Sequence, residues 1–275
     1  MSQLITMLGL PFLICIMMGA ILGYCGIHVL KREVIFIDIA LAQIAAVGSV
    51  VAHLAFHAEE GAPLSYIFSF GCVLLIALFY AWVRGRVVQI SIEAVIGISY
   101  AIAAAAALFL LSLAHGHSHG AGEMLTGSLL WTERADAISS FVVFFTIGCC
   151  FCALRKPLFR VSENYQDALA KGVKVVWWDF LFYALVGTVI TLAVRLAGVV
   201  VVFAFLIIPA TASALFSSRW APRMLIAWTI AAIGSVGGLV FAYYLDFSVG
   251  PAIALFLGGL LLAAAILSKL RSQHT

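Results

Sequence analysis

Charge is what this sequence has least of. Only 10% of its 275 residues are Asp, Glu, Lys or Arg, while 65% are hydrophobic and the mean hydropathy is +1.17. A soluble domain carries about 25% charged residues, so this composition excludes one. The chain has no G-x-x-x-x-G-K-[ST] loop with which to bind ATP and no H-E-x-x-H zinc-protease signature. No Lys or Arg precedes Lys31, so the basic n-region of a cleavable signal peptide is missing and the first apolar run is expected to stay. Alternation over about ten residues, the mark of a membrane β-barrel, is absent as well. A net charge of +3 carries no nucleic-acid footprint in such a chain, because its basic residues first report topology.

What is present is a series of continuous apolar runs of roughly 18 to 24 residues, each long enough to cross a bilayer as a helix. They lie near 5–29, 34–56, 64–83, 91–113, 137–154, 175–194, 199–216, 224–245 and 251–268. The expected fold is an all-α polytopic bundle of about nine transmembrane helices, a single transmembrane domain over 1–275. Placing the N-terminus outside and the C-terminus inside puts thirteen of the fifteen basic residues on the cytoplasmic side, leaving only Arg134 and Arg195 outside. The six cysteines, including the Cys149/Cys152 pair, fall within apolar runs and read as packing residues. Gly19 and Gly23, with Gly26 beyond, and Gly234 and Gly238 make small faces for close helix packing.

One stretch breaks the apolar pattern. Arg155 to Lys174 (RKPLFRVSENYQDALAKGVK) carries seven charges, five of them basic. Within it Asn164 is a good N-cap, Asp167 suits the first turn, Lys171 suits the last and Gly172 can take the left-handed C′ position. The predicted two-turn helix, Tyr165 to Lys171, is too short to stand alone in water. It either packs on its own protein or docks a partner.

An ionisable group within a span is a functional candidate by default. Asp38 is the strongest, with Gln43 five residues later; a local pairing of Asp38 with Lys31 or Arg32 is the competing reading. Glu93 and Asp179 lie nearer span ends and are expected to snorkel to the headgroups. Pro209 should bend the seventh span, with Thr211 and Ser213 helping to satisfy the freed backbone. His53 and His57, four apart, would share a helix face, with Glu60 a turn beyond, and could hold a zinc-like ion. His115, His117 and His119 form a histidine-rich loop of the kind that gathers such ions, on the outer side by this topology. Glu123 to Trp131 is too short to span and is expected at the outer interface.

Four segments together resemble the permease subunits of ABC importers for zinc, manganese and iron. They are GAILGYCGIHVLKREVIFIDIALAQIAAVG, IEAVIGISYA (Ile92 to Ala101), RLAGVVVVFAFLIIPATASAL (Arg195 to Leu215), and the polar stretch, where Ser162, Ala168 and Gly172 fit S-x-D-P-E-x-A-x-x-x-G with Asn164 in place of Asp. The resemblance implies a permease homodimer in the bacterial inner membrane, surrounded by lipid. It also implies two ABC ATPase subunits docked at Asn164, Tyr165, Ala168, Leu169 and Gly172, and a metal-binding solute receptor outside. Asp38, Gln43 and Pro209 would line the pathway. No cofactor is expected to stay bound; the cargo would be a divalent metal ion, zinc first on account of the histidines, with manganese or iron the other choices. The second span departs from the family's G-D-x-x-x-H-A. An Asp and a His four apart lie about 40° apart around a helix, whereas Asp38 and Gln43 lie about 140° apart. A stand-alone cation carrier or efflux protein with a metal-gathering loop is the alternative. It would need several intramembrane carboxylates and histidines, and this chain offers chiefly Asp38.

Overall fold

A computed structural model of the chain describes residues 2–58, 62–86, 89–113, 129, 132, 134–245 and 247–272. Among the described residues there are eleven α-helices and no strand. They are α1 Ser2–Arg32, α2 Ile37–Phe56, α3 Pro63–Arg84, α4 Ile92–Leu113, α5 Arg134–Ala153, α6 Arg155–Glu163, α7 Tyr165–Ala170, α8 Val175–Ala197, α9 Val199–Phe216, α10 Trp220–Leu245 and α11 Val249–Ser272. All but α6 and α7 are long and apolar enough to cross a membrane, which makes nine spans, as the hydropathy pattern predicts.

Three helix starts share one feature. Helices α10 and α11 begin before the 224 and 251 expected from hydropathy, with Pro222 and Pro251 inside them, and α6, which contains Pro157, has no counterpart among the expected helices. In each case the proline is the third residue of its helix. There its missing N–H would have had no intrahelical partner, so the helix begins before it without loss.

By internal contacts the chain forms two units interleaved in sequence: Met1–Leu30 with Gly122–Gly148 and Ala193–Thr275, and Lys31–Ala121 with Cys149–Leu192. In the first unit α9, α10 and α11 pack on one another, and Ile27 joins Ala210 and Ala227 in a small core covered by Leu30, Trp220 and Met224. The expected close faces are present with a shift. A Cβ at Gly26 would lie 1.8 Å from the carbonyl oxygen of Leu206, while one at Gly23 would meet nothing nearer than 3.8 Å. In α10 the predicted Gly238 does abut backbone, with the Ile253 Cα 2.6 Å from a Cβ built there. Helix α9 runs through Pro209, and Ser213 Oγ donates to the Ala210 carbonyl at 2.7 Å, not to the Phe205 carbonyl that the proline leaves free.

In the second unit α2 packs against both α3 and α4, and the Ser49 and Ser65 hydroxyls meet between α2 and α3 at 2.6 Å. Helix α4 leaves Ile98, Ile102, Leu108 and Phe109 exposed. In hydrocarbon such a face costs nothing, since lipid tails are as apolar as the side chains. Fully buried Tyr80, Phe151, Phe182 and Tyr183 fill the core, with Phe151 edge-on to Phe182 and Tyr80 edge-on to Tyr183.

Candidate functional site

The polar stretch folds into two short helices of the second unit. Helix α6 buries Leu158, Val161 and Ser162. Asn164 ends it and caps the next, its side chain accepting from the Asp167 N–H at 3.0 Å. Helix α7 closes with a Schellman arrangement: Gly172, at φ +71°, donates to the Leu169 carbonyl at 3.0 Å, and Val173 donates to that of Ala168 at 3.1 Å. A non-glycine residue at that φ would cost about 1–2 kcal/mol. Ala168 packs with Val161 and Val175, joined by Tyr165, Val173 and Trp178. Tyr165 and Ala168 therefore face inward, whereas Leu169 is 53% exposed on a segment whose other exposed residues are Gln166, Asp167, Ala170, Lys171 and Gly172. Lys171 pairs with Asp167 at 2.6 Å on this outer side.

A charged cluster that the sequence reading does not foresee lies behind these helices. Asp179, expected to snorkel, is completely buried. It forms an ion pair with Arg32 Nη1 and accepts from Arg84 Nη1 at 3.3 Å to each oxygen. Arg32 Nε donates to Ser162 Oγ at 2.8 Å, and its guanidinium lies 4.1 Å from the Phe182 ring centre. Arg84 also donates to Tyr183 Oη at 3.3 Å and to the Arg32 carbonyl at 3.2 Å, and its guanidinium sits 4.6 Å from the centre of the Tyr165 ring. Lys31 completes the grip on α6 with a 2.6 Å pair to Glu163. Burial pushes the Tyr165 phenol pKa up, and the Asp179 charge adds to the rise. A lone carboxylate cannot be buried without countercharge, so Asp179 needs the basic residues that end α1 and α3. The signal available in the sequence was that Arg32, Arg84 and Asp179 each fall within about one turn of a span end on the same predicted side.

Asp38 is buried too, in the first turn of α2, but it is not part of that cluster. Lys31 and Arg32, its expected local partners, are committed to Glu163 and Asp179. Apart from the amides of its own first turn, Asp38 has as electrostatic neighbour another acid, Glu93, and neither of its carboxylate oxygens has a hydrogen-bond partner among the described residues. Glu93 does not snorkel either: one oxygen accepts from the Phe36 N–H at 3.0 Å and the other is buried with no partner among the described residues. Gln43 is half-buried on α2, and Pro209 is buried in the other unit.

The histidine pair does not form as the spacing predicts. Helix α2 ends at Phe56, and His57 is its C-cap in the left-handed conformation, so the shared helical face stops short of it. His53 Nδ1 instead lies 3.0 Å from the Ala58 carbonyl oxygen. Glu60, His115, His117 and His119 lie outside the described residues, as does most of the segment from Glu123 to Trp131. Among the described residues no group of three His, Cys, Asp or Glu is placed to hold a metal ion.

Comparison with known proteins bears on all of this. The model of the ABC 3 transport family matches residues 5–268. The manganese import system permease protein ScaB of Streptococcus parasanguinis is 29% identical over 48% of this chain and 47% of its own. The chelated iron transport system membrane protein YfeC of Yersinia pestis is 24% identical over 47% and 44%. The chain thus spans about half the length of these curated relatives. Among solved structures, a chain of PsaBC from Streptococcus pneumoniae in complex with Fab has the same fold, with TM-score 0.79 and 21% identity over 96% of this chain and 94% of that one.

Proposed function

The chain belongs to the ABC 3 transport family, and from that premise we propose that it is the permease subunit of an ATP-driven metal-ion importer. It is a multi-pass protein of the bacterial inner membrane. The observation that carries the proposal is α7: a helix too short to be stable alone, capped at both ends, buried on the Tyr165/Ala168 side and presenting Leu169 outward. Such a piece suits docking to an ATPase subunit on the cytoplasmic face, with Asn164 and Gly172 fixing its ends and Tyr165 and Ala168 seating it. The N-terminus then lies outside, facing a metal-binding receptor, and two permeases pair with two ATPases.

The cargo on this reading is a divalent first-row metal ion. Relatives are named for manganese and iron, whereas zinc rests on the histidines of this sequence alone. On this reading Asp38 supplies to the ion a carboxylate with no partner among the described residues, and Gln43 and Pro209 are the other pathway residues.

The test is co-purification with the ATPase subunit, followed by uptake into vesicles of manganese, iron and zinc. Leu169→Asp should lower ATPase capture at least about tenfold, the scale of one interface hot spot, with the protein still folded. Undiminished capture, or uptake by the chain alone without any ATPase, would overturn the proposal.

A further inference from the structure

Arg32 and Arg84 share Asp179 but are held in different ways. Arg32 is fully buried, pairs directly with the carboxylate, donates to Ser162 and lies on Phe182. Every polar contact of Arg84 is 3.2 or 3.3 Å long, beyond the roughly 2.7–2.9 Å of a charge-assisted N–H···O bond. Its guanidinium meets the ring of Tyr165, the first residue of α7. The hydroxyl of Tyr165 is buried with no partner among the described residues and lies over Gly85, 3.7 Å from a Cβ built there. Among the described residues the ring is thus held by the guanidinium and by apolar neighbours. Contacts of that kind have no fixed direction and permit sliding, which a bidentate ion pair does not.

Charge points the same way. Two guanidinium groups on one carboxylate leave the buried cluster with an excess positive charge. Withdrawing Arg84 leaves a balanced Arg32–Asp179 pair, so the buried carboxylate keeps a countercharge when Arg84 departs. We propose that Arg84 and Tyr165 are positioning residues that form a movable joint between α7 and the end of α3. Arg32, Asp179 and Ser162 are the fixed member that keeps α1, α6 and α8 together while the joint shifts. The inference rests on the reading that α7 docks an ATPase. Displacing α7 then draws the Tyr165 ring across Arg84 and frees the end of α3 from α8, converting movement at the docking helix into movement of one span.

The experiment uses the whole transporter in vesicles and reads ATP consumed per metal ion moved, with manganese as the probe. Arg84→Gln and Tyr165→Ala should assemble with the ATPase yet raise that ratio about tenfold, within the usual range of coupling energies. Tyr165→Phe, which keeps the ring, should restore it. An unchanged ratio in Arg84→Gln, or a Phe variant as defective as Ala, would overturn the joint. Should Tyr165→Ala lose its fold with its apolar contacts, Arg84→Gln decides alone. Failure of the unmodified chain to bind any ATPase would instead sink the proposed function.

Discussion

Asp179 and Asp38 are both buried carboxylates of the same unit, and their surroundings are opposites. Asp179 is shared by two arginines, beside a serine, two tyrosines and a phenylalanine that hold those arginines in place. Among the described residues Asp38 has no cation beside it, and its electrostatic neighbour is the acid Glu93. A buried charge is tolerated when its partners are built in, as at Asp179, which serves architecture. A buried acid with no countercharge is a cost that the fold carries, and under the proposed function that cost is offset when a cation arrives.

The contrast can be broken by substitution, and thermal unfolding in detergent is the measurement. Asp179→Asn should have the largest effect. It leaves Arg32 and Arg84 buried without an anion, and loss of one partner from a buried pair costs about 3–5 kcal/mol. A loss below about 1 kcal/mol would mean that the cluster is not structural. Asp38→Asn should go the other way on stability. Removing an unpaired buried charge should leave the unfolding midpoint unchanged or raised, by a gain of no more than about 1 kcal/mol, while metal uptake falls. Marked destabilisation would reveal a partner for Asp38, and unaltered uptake would remove it from the pathway. The smallest effect should come from Lys31→Ala. Its pair with the exposed Glu163 contributes about 0–1 kcal/mol and should weaken further in high salt. A salt-independent loss would place it with the buried cluster.

Several of these features were legible in the residues. The Asn164 cap and the Gly172 stop follow from backbone chemistry within eight residues, and both are formed. The nine spans follow from hydropathy. Helices α10 and α11 start before the ends of their apolar runs suggest, each with a proline third in the helix, where its missing N–H is harmless. Asp38 was recognised as an intramembrane acid, but its freedom from Lys31 and Arg32 could not be read, because the competitors for those cations, Glu163 and Asp179, lie more than 120 residues away in sequence. The His53/His57 face was a prediction from helical period, and the helix ends one residue too early for it.

Local and compositional terms were therefore settled by the sequence alone: membrane residence, span number, the capped helix and the family to which its segments point. Hydropathy sums over a window and caps act between neighbours, so neither needs the fold. The tertiary structure decided which charges find each other, which side of α7 is left outward, and which glycine meets a backbone. Electrostatic pairing depends on distances between residues remote in the chain, and only the packed unit sets those distances.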